Sequence, residues 1–186
     1  MKGCFLLQRK FAWLGHALAL ELKEKYGVRE FCAYVQSRKA EHFLRARGDL
    51  KYTSLLVDED IWPLYKTEKL DFAYLKKLEA EYGEPNLWKF LLVDRTIMMR
   101  IPPLEYSFRP SPLLNHEEML RLLQVRFRAT TKFLEKEKPV FLICSAVAGM
   151  SSRILYHVAK KMGIKTITIE PSRIKKFVTL SENYLR

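Results

Sequence analysis

Short, continuously apolar runs alternate with longer amphipathic stretches over the first third of the chain. The runs CFLLQ, REFCAYVQ and YTSLLVD predict three buried strands. Between them, residues 11–26 carry apolar side chains at helical spacing, and residues 37–47 follow an N-cap signal at Ser37. Gly27 and Gly48 lie just past these two predicted helices, where left-handed caps are common. The order strand, helix, strand, helix, strand indicates a parallel sheet that is covered by helices.

The same alternation returns at the end of the chain. PVFLICS predicts a strand, AGMSSRILYHVAKKMG a helix that ends at Gly163, and KTITIEPS a further strand. Before them, residues 115–138 predict a long helix that is capped by Asn115, with acidic residues in its first turn and lysines in its last. In the middle, residues 86–100 are apolar enough for either a strand or a helix, and the proline-rich residues 101–114 predict a connecting loop.

These blocks predict an α/β fold, a Rossmann-like three-layer αβα sandwich whose mainly parallel sheet has about five strands. We expect the strands near residues 3–8, 30–36, 53–57, 139–144 and 165–169. A chain of 186 residues, of which 48% are hydrophobic, is long enough for one domain of ordinary size with a substantial core. We therefore expect residues 1–186 to form a single Rossmann-like domain.

Charge and cysteine usage narrow the function classes. The formal net charge of +12 makes nucleic acid, an anionic membrane surface and phosphate-bearing ligands candidate partners. Nucleic acid ranks last, because no basic motif interleaved with aromatic side chains is present. Cys4, Cys32 and Cys144 each lie within an apolar run, which predicts three reduced core thiols and a cytoplasmic chain. The first apolar run breaks at residues 8–10, so it is too short for a signal peptide or a membrane span.

Ligands of open α/β sheets bind at the carboxyl ends of the strands, where the strand order reverses. From the loops at these ends and the start of the first helix, we predict as ligand-binding residues Arg9, Lys10, Gly15, Ser145, Gly149, Glu170 and Arg173. The chain lacks the GxGxxG of dinucleotide sites, the GK[ST] of P-loops and the GxSxG of hydrolases. Its histidines lack metal-ligand spacing, so neither a cofactor nor a metal is predicted.

Gly15 and His16 interrupt the first amphipathic helix within the segment LGHALALELKEKYG. This segment resembles the one that follows the first strand of GT-B glycosyltransferases, including those that act on lipid-linked acceptors in peptidoglycan synthesis. In the last third, Lys138-Pro139 with VFLIC, followed by YHVAKKMGIKTITIEPSRIKK, is similar to the N-terminal half of capsular and surface polysaccharide biosynthesis proteins.

The resemblance implies the acceptor-side domain of a glycosyltransferase-like protein of surface polysaccharide biosynthesis. It implies that His16, or a carboxylate near the crevice, is the base that takes a proton from an acceptor hydroxyl. Arg9, Lys10 and Arg173 would balance phosphate or carboxylate charge on a sugar or phosphate-bearing acceptor. A second domain or subunit would bind the nucleotide-sugar, so the chain is expected to be inactive alone. It is expected in the cytoplasm or peripheral to the inner membrane face.

Two alternatives stay open. Gly15 also fits close packing of the helix on the sheet, with His16 as a hydrogen-bonded helix residue. His42 and His157 fall within predicted helices and are expected to be surface or half-buried residues.

The alternative function is a stand-alone Rossmann-like binding or partner domain without catalysis, whose long helix meets an anionic ligand or surface. The basic residues of that helix are Arg121, Arg126, Arg128 and Lys132.

Overall fold

The computed structural model describes residues 1–8, 11–94, 114–172, 174 and 177–184. These residues form a six-stranded sheet with the order β3-β2-β1-β4-β5-β6. The first five strands are parallel, and the last pairs antiparallel with its neighbour. The strands are β1 (Lys2–Leu7), β2 (Glu30–Val35), β3 (Tyr52–Val57), β4 (Phe141–Cys144), β5 (Lys165–Pro171) and β6 (Val178–Ser181).

Helices cover both faces of the sheet, because the strand side chains alternate between two apolar clusters. Phe5 and Leu7 of β1 pack with the helices that follow β1 and β2, whereas Cys4 and Leu6 face the helices of the other layer. The helices are α1 (Phe11–Tyr26), α2 (Arg38–Arg47), α3 (Asp58–Ile61), α4 (Phe72–Tyr82), α5 (Trp88–Leu91), α6 (His116–Glu137) and α7 (Met150–Lys161), with a 3₁₀ turn at Trp62–Lys66.

The predicted α/β sandwich is confirmed, and each of its five predicted strands is present. The sequence prediction missed β6, a four-residue edge strand whose side chains alternate between exposed and half-buried. Such a strand is held mainly by main-chain pairing, here Ile169 with Leu180 and Glu170 with Thr179. It therefore lacks the continuous apolar run that marks the inner strands.

Local signals in the sequence account for the helix boundaries. The Ser37 hydroxyl accepts a hydrogen bond from the Ala40 amide at 3.3 Å at the start of α2. Asn115 and Glu118 form a reciprocal capping box at the start of α6, with distances of 2.8 and 2.9 Å. Gly163 adopts a φ of +74° just after α7, a conformation that favours glycine.

The three cysteines are buried and unpaired, as predicted. Cys4 and Cys32 are register partners on β1 and β2, and Cys144 lies opposite Leu6 on β4. Burial raises the pKa of the Cys4 and Cys144 thiols. Both thiols therefore stay protonated and behave as small core side chains.

The middle of the chain is described in part. Trp88–Leu91 is a short helix, which settles the strand-or-helix ambiguity for these four residues. The loop predicted over the proline-rich segment falls almost entirely on residues 95–113, which lie outside the described residues. No helix among the described residues is long and apolar enough to cross a membrane.

The strand order indicates where the crevice of the sheet lies. The series β3-β2-β1-β4-β5 is the doubly wound order, and the chain reverses its direction of travel between β1 and β4. These two strands are direct neighbours, with Leu6 opposite Cys144 at their carboxyl ends. The crevice of this fold therefore lies where β1 and β4 end.

Candidate functional site

The loop after β4 reaches the predicted edge of the sheet. Ser145 follows the last residue of β4, and Gly149 is the N-cap of α7. The Gly149 amide donates to Oγ of Ser152 at 3.0 Å, and this hydroxyl donates back to the Gly149 carbonyl at 2.9 Å. Ser145 and Gly149 thus lie together on one short loop beside the switch point.

The other predicted ligand residues are spread more widely. Glu170 lies near the end of β5, one strand beyond β4, and its carbonyl accepts from the Thr179 hydroxyl of β6 at 3.3 Å. Arg9, Lys10 and Arg173 lie outside the described residues, so their part in a site stays a prediction.

Gly15 lies where α1 packs against β1. A Cβ atom at this position would come within 2.4 Å of a terminal methyl carbon of Leu7, which is fully buried. Glycine therefore lets the helix approach the sheet more closely than alanine would. This contact matches the packing alternative that the sequence left open for Gly15.

His16 is buried, with 2% of its surface exposed, and both ring nitrogens have partners. Nε2 lies 2.8 Å from the Asp49 carboxylate and Nδ1 lies 3.1 Å from the Tyr52 hydroxyl. Because a carboxylate only accepts, Nε2 carries a proton. Asp49 precedes β3 and Tyr52 begins it, so His16 fastens α1 to the amino end of β3. Its predicted role as a base would require the Tyr52 bond to be exchanged for one to a substrate.

Charge and burial shift the pKa values of the two groups that contact His16. Desolvation raises the pKa of Asp49, but hydrogen bonds from His16 and Arg47 outweigh it, so the net shift is downward. Burial and then the Asp49 charge raise the pKa of Tyr52. Asp49 can therefore accept a hydrogen bond from Nε2, and the Tyr52 hydroxyl keeps the proton that it can donate to Nδ1.

A second set of buried polar groups lies at the carboxyl edge and ties β2 and β3 to α6 and α7. Asp58 directly follows β3, and its carboxylate accepts three hydrogen bonds. They come from the Tyr34 hydroxyl at 2.6 Å, the Ser151 hydroxyl at 2.7 Å and Nη2 of Arg126 at 2.9 Å. We call Tyr34, Asp58, Asp94, Arg126 and Ser151 the carboxyl-edge cluster.

Arg126 is the central cation of this cluster and is only 2% exposed. Its guanidinium carbon lies 5.0 Å from the centre of the Trp62 ring, and Nη1 lies 3.7 Å from the Asp94 carboxylate. The same Asp94 carboxylate accepts a hydrogen bond from the Met150 amide at 3.3 Å, in the first turn of α7. One carboxylate is thus shared by a buried guanidinium and a helix N-terminus, both of which attract anions.

The energetics of the cluster depend on its being complete. Burial and the Asp58 charge raise the pKa of Tyr34 well above its usual value, so its hydroxyl remains a donor. A buried guanidinium is costly unless carboxylates offset its charge, as Asp58 and Asp94 do here. The cluster therefore holds one buried guanidinium between two carboxylates at the edge of the sheet.

Sequence reasoning missed this cluster, although one of its members carried a signal. Arg126 follows Leu122 by four residues and precedes Thr130 by four, which places it on the buried face of α6. Asp58 carried a weaker signal as the first polar residue after an apolar strand. Tyr34, Asp94 and Ser151 come together with them only through the tertiary fold.

The basic residues of the long helix differ in exposure and in pairing. Arg126 is buried rather than exposed, for the reason just given. Arg128 forms ion pairs with Glu68 and Asp71, and Arg121 lies 3.8 Å from Glu117. The helix therefore offers an anionic surface far less unpaired charge than its sequence indicates.

No group of three or more His, Cys, Asp or Glu side chains in the described part of the chain could hold a metal ion. No model of a known protein family matches the chain, and no curated protein matches it. Among solved structures, the chain is similar to the UDP-GlcNAc 2-epimerase from Neisseria meningitidis bound to UDP-GlcNAc, with 12% sequence identity and a TM-score of 0.46. The matched region covers 91% of this chain but only 32% of that enzyme, so the chain spans about a third of its length.

Proposed function

We propose that this chain is the acceptor-side domain of a glycosyltransferase-like protein of surface polysaccharide biosynthesis. In this proposal the carboxyl edge of the sheet binds a sugar that carries a phosphate or carboxylate group. The observation that carries the proposal is the junction of Arg126 with the first turn of α7, directly beside the switch point. Nη1 of Arg126 donates a hydrogen bond to the sulfur of Met150 at 3.3 Å, and this contact ties the guanidinium to the turn.

The first support is electrostatic. The first N–H groups of a helix have no acceptor within it, and the helix dipole adds partial positive charge at the same end. At the start of α7 the Asp94 carboxylate already accepts the Met150 amide. The amide of Ser151, a residue that is 8% exposed, belongs to the same turn and suits an oxyanion in the same way.

The second support is rigidity. The Ser151 hydroxyl is held by Asp58, which is held in turn by Tyr34 and Arg126. A donor or acceptor that is already fixed loses little entropy when a ligand binds to it. Ser145 and Gly149, predicted from the sequence, lie on the loop that leads into this turn.

The third support is the sequence resemblance described above, which rests on the helix after β1 and the segment from Lys138 to the end of β5. In GT-B enzymes the acceptor and the nucleotide-sugar bind to opposite domains. Orientation of two substrates in one closed cleft supplies about 7–11 kcal/mol of the acceleration. The 186-residue chain by itself is therefore expected to bind a ligand without transferring sugar.

Backbone amide NMR tests the proposal, with N-acetylglucosamine 1-phosphate and UDP-GlcNAc as probes added to the 186-residue chain. We expect shifts concentrated in residues 145–152, at the edge described here. The Ser151 hydroxyl donates its proton to Asp58 and can accept a hydrogen bond from a sugar hydroxyl, so Ser151→Ala should weaken binding by about two- to tenfold. Ser181→Ala on β6 is the matched control and should leave the affinity unchanged.

Two results would contradict the proposal. Shifts confined to the amino edge, for example at Gly27, Gly48 and Gly163, would place the ligand at the opposite ends of the strands. Sustained sugar transfer by the 186-residue chain would show that no second domain is needed.

A further inference from the structure

A separate cavity of about 320 Å³ lies between the end of α4, the short helix α5 and the second half of α7. Its walls include Tyr82, Lys89, His157, Lys160 and Lys161. This volume is at the lower end of the range of small-molecule sites. Ser151 of the carboxyl-edge cluster lies in the first turn of α7, whereas His157 lies nearly two turns further along it.

Three lysines line this cavity and Arg153 acts on His157 from beside it, and none of the four has an ion-pair partner among the described residues. Lys89 donates to the Glu84 carbonyl at 3.2 Å, and Lys160 donates to the Asn183 side chain at 2.6 Å. Arg153 donates to the Lys89 carbonyl at 3.3 Å. These acceptors are neutral, so they satisfy donors without offsetting charge, and Lys161 adds a further ammonium group to the wall.

Two carboxylates, those of Glu81 and Glu84, also line the cavity. Glu81 at the end of α4 lies 3.9 Å from Lys77 of the same helix, so its charge is already shared. Glu84 in the following loop acts on Lys89, yet burial still lowers the pKa of that lysine. Three lysines and two carboxylates therefore line the cavity, and the charge of Arg153 beside it adds to the positive surplus that acts on His157.

The positive surplus affects the pKa of His157. Nε2 lies 3.1 Å from the Tyr184 hydroxyl, and the ring stands edge-on to Phe90 with the ring centres 5.4 Å apart. Burial, together with the charges of Lys89, Arg153 and Lys160, holds the pKa of His157 at about 4. The imidazole is therefore neutral at pH 7, and its Nδ1 has no hydrogen-bond partner in the described ranges.

We propose that this cavity binds a small ligand through a phosphate group, with Lys89, Lys160 and Lys161 as the cations that bind it and His157 as a group that takes up a proton on binding when the pH is near 5 or below. A phosphate supplies the negative charge that the walls lack. It offsets the repulsion among the lysines and favours the imidazolium form of His157. The phosphate then gains a further charged hydrogen-bond donor.

The test is an NMR titration of the 186-residue chain with glycerol 3-phosphate, followed at the amides around the cavity and at the His157 ring. We expect saturable binding and a rise of one unit or more in the pKa of His157 from about 4. Lys89→Gln and Lys160→Gln should each weaken binding by about tenfold, because each removes a charged contact to the anion. Lys76→Gln removes the same charge from the exposed face of α4 and should leave binding unchanged.

If Lys76→Gln weakened binding as much as Lys89→Gln and Lys160→Gln do, binding would depend only on the net charge of the protein. That result would overturn the proposal. An unchanged His157 titration at saturating glycerol 3-phosphate would overturn it as well. Vesicles of phosphatidic acid in phosphatidylcholine form a second arm of the test. If they bind with the same dependence on Lys89 and Lys160 and glycerol 3-phosphate competes, the phosphate belongs to a lipid headgroup.

Discussion

The cations near the two ends of α7 differ in whether carboxylates offset their charge. At its start, buried Arg126 is offset by Asp58 and Asp94, and the Asp58 carboxylate accepts three hydrogen bonds. Along its second half, the cations around His157 donate to neutral groups and leave a positive surplus. The first region is a closed network that holds the carboxyl edge in place. The second region retains unfavourable charge that a ligand can relieve. In the proposals above, the first region would therefore position a ligand through groups that are already held in place, and the second would bind one through cations that lack ion-pair partners.

The largest expected effect comes from breaking the closed network. Arg126→Met removes the cation and leaves Asp58 and Asp94 buried without it, which should destabilise the protein by about 3–5 kcal/mol. Urea unfolding, followed by tryptophan fluorescence, measures the loss. Asp58→Asn, which keeps the size of the side chain but removes its charge, should also lose stability and provides a milder variant for measurement.

Arg128→Met is the matched control for this substitution. Arg128 lies on the same helix and pairs with Glu68 and Asp71, but its side chain is 43% exposed. A surface ion pair contributes about 0–1 kcal/mol, so this variant should lose little. Similar losses in the Arg126 and Arg128 variants would contradict the contrast drawn here between a buried network and a surface pair.

Much of the fold could be predicted from the sequence, because its determinants are local. The apolar runs of β1 to β5 lie next to each other in the sheet, and Ser37 and Asn115 cap the helices that their positions indicated. Gly15 was open to two interpretations; the short distance from its Cβ position to Leu7 supports close packing, and its part in ligand binding stays a prediction. β6 was missed because an exposed edge strand carries no apolar run.

The candidate sites were much less predictable, because their members are distant in sequence. Asp58 and Ser151 are 93 positions apart, and Arg126 reaches Asp58 across 68. His157 looked like an ordinary helix residue, and what sets it apart is Lys89 and Arg153, which only the tertiary fold brings to its side. His16 stood out beside a glycine, yet its partners Asp49 and Tyr52 lie at the amino end of β3.

The second prediction concerns pH and the region around His157. The pKa of His157 is about 4 in the folded protein and about 6.5 when unfolded, so between these values the unfolded state binds more protons. Stability contributed by this group is present above pH 6.5 and is lost as the pH falls toward 4. In His157→Gln that loss should be absent, and its unfolding free energy should decline less steeply over this window.

Urea unfolding at pH 7 and at pH 4.5 measures the difference between the two proteins. The gap between wild type and His157→Gln should narrow at the lower pH, because the wild type alone carries the penalty of charging this ring. His42→Gln, on the exposed face of α2, is the control and should follow the wild-type curve. If the His157→Gln curve ran parallel to wild type, the titration of His157 would not be coupled to folding as described.

The smallest expected effect separates two causes of the low pKa of His157, namely the neighbouring cations and burial. Lys89→Gln removes a positive charge that disfavours the imidazolium form, so the pKa of His157 should rise from about 4. The rise should be on the order of a few tenths of a pH unit, because solvent and salt screen a partly exposed charge. The value should stay well below 6.5, since burial is the larger cause of the shift and is unchanged in the variant. NMR titration of the His157 ring measures it, and Lys76→Gln should give the wild-type value. A return to the ordinary pKa in Lys89→Gln would show that the surrounding charge, rather than burial, sets the state of this ring, and the cavity would then respond to an anion even more strongly than proposed.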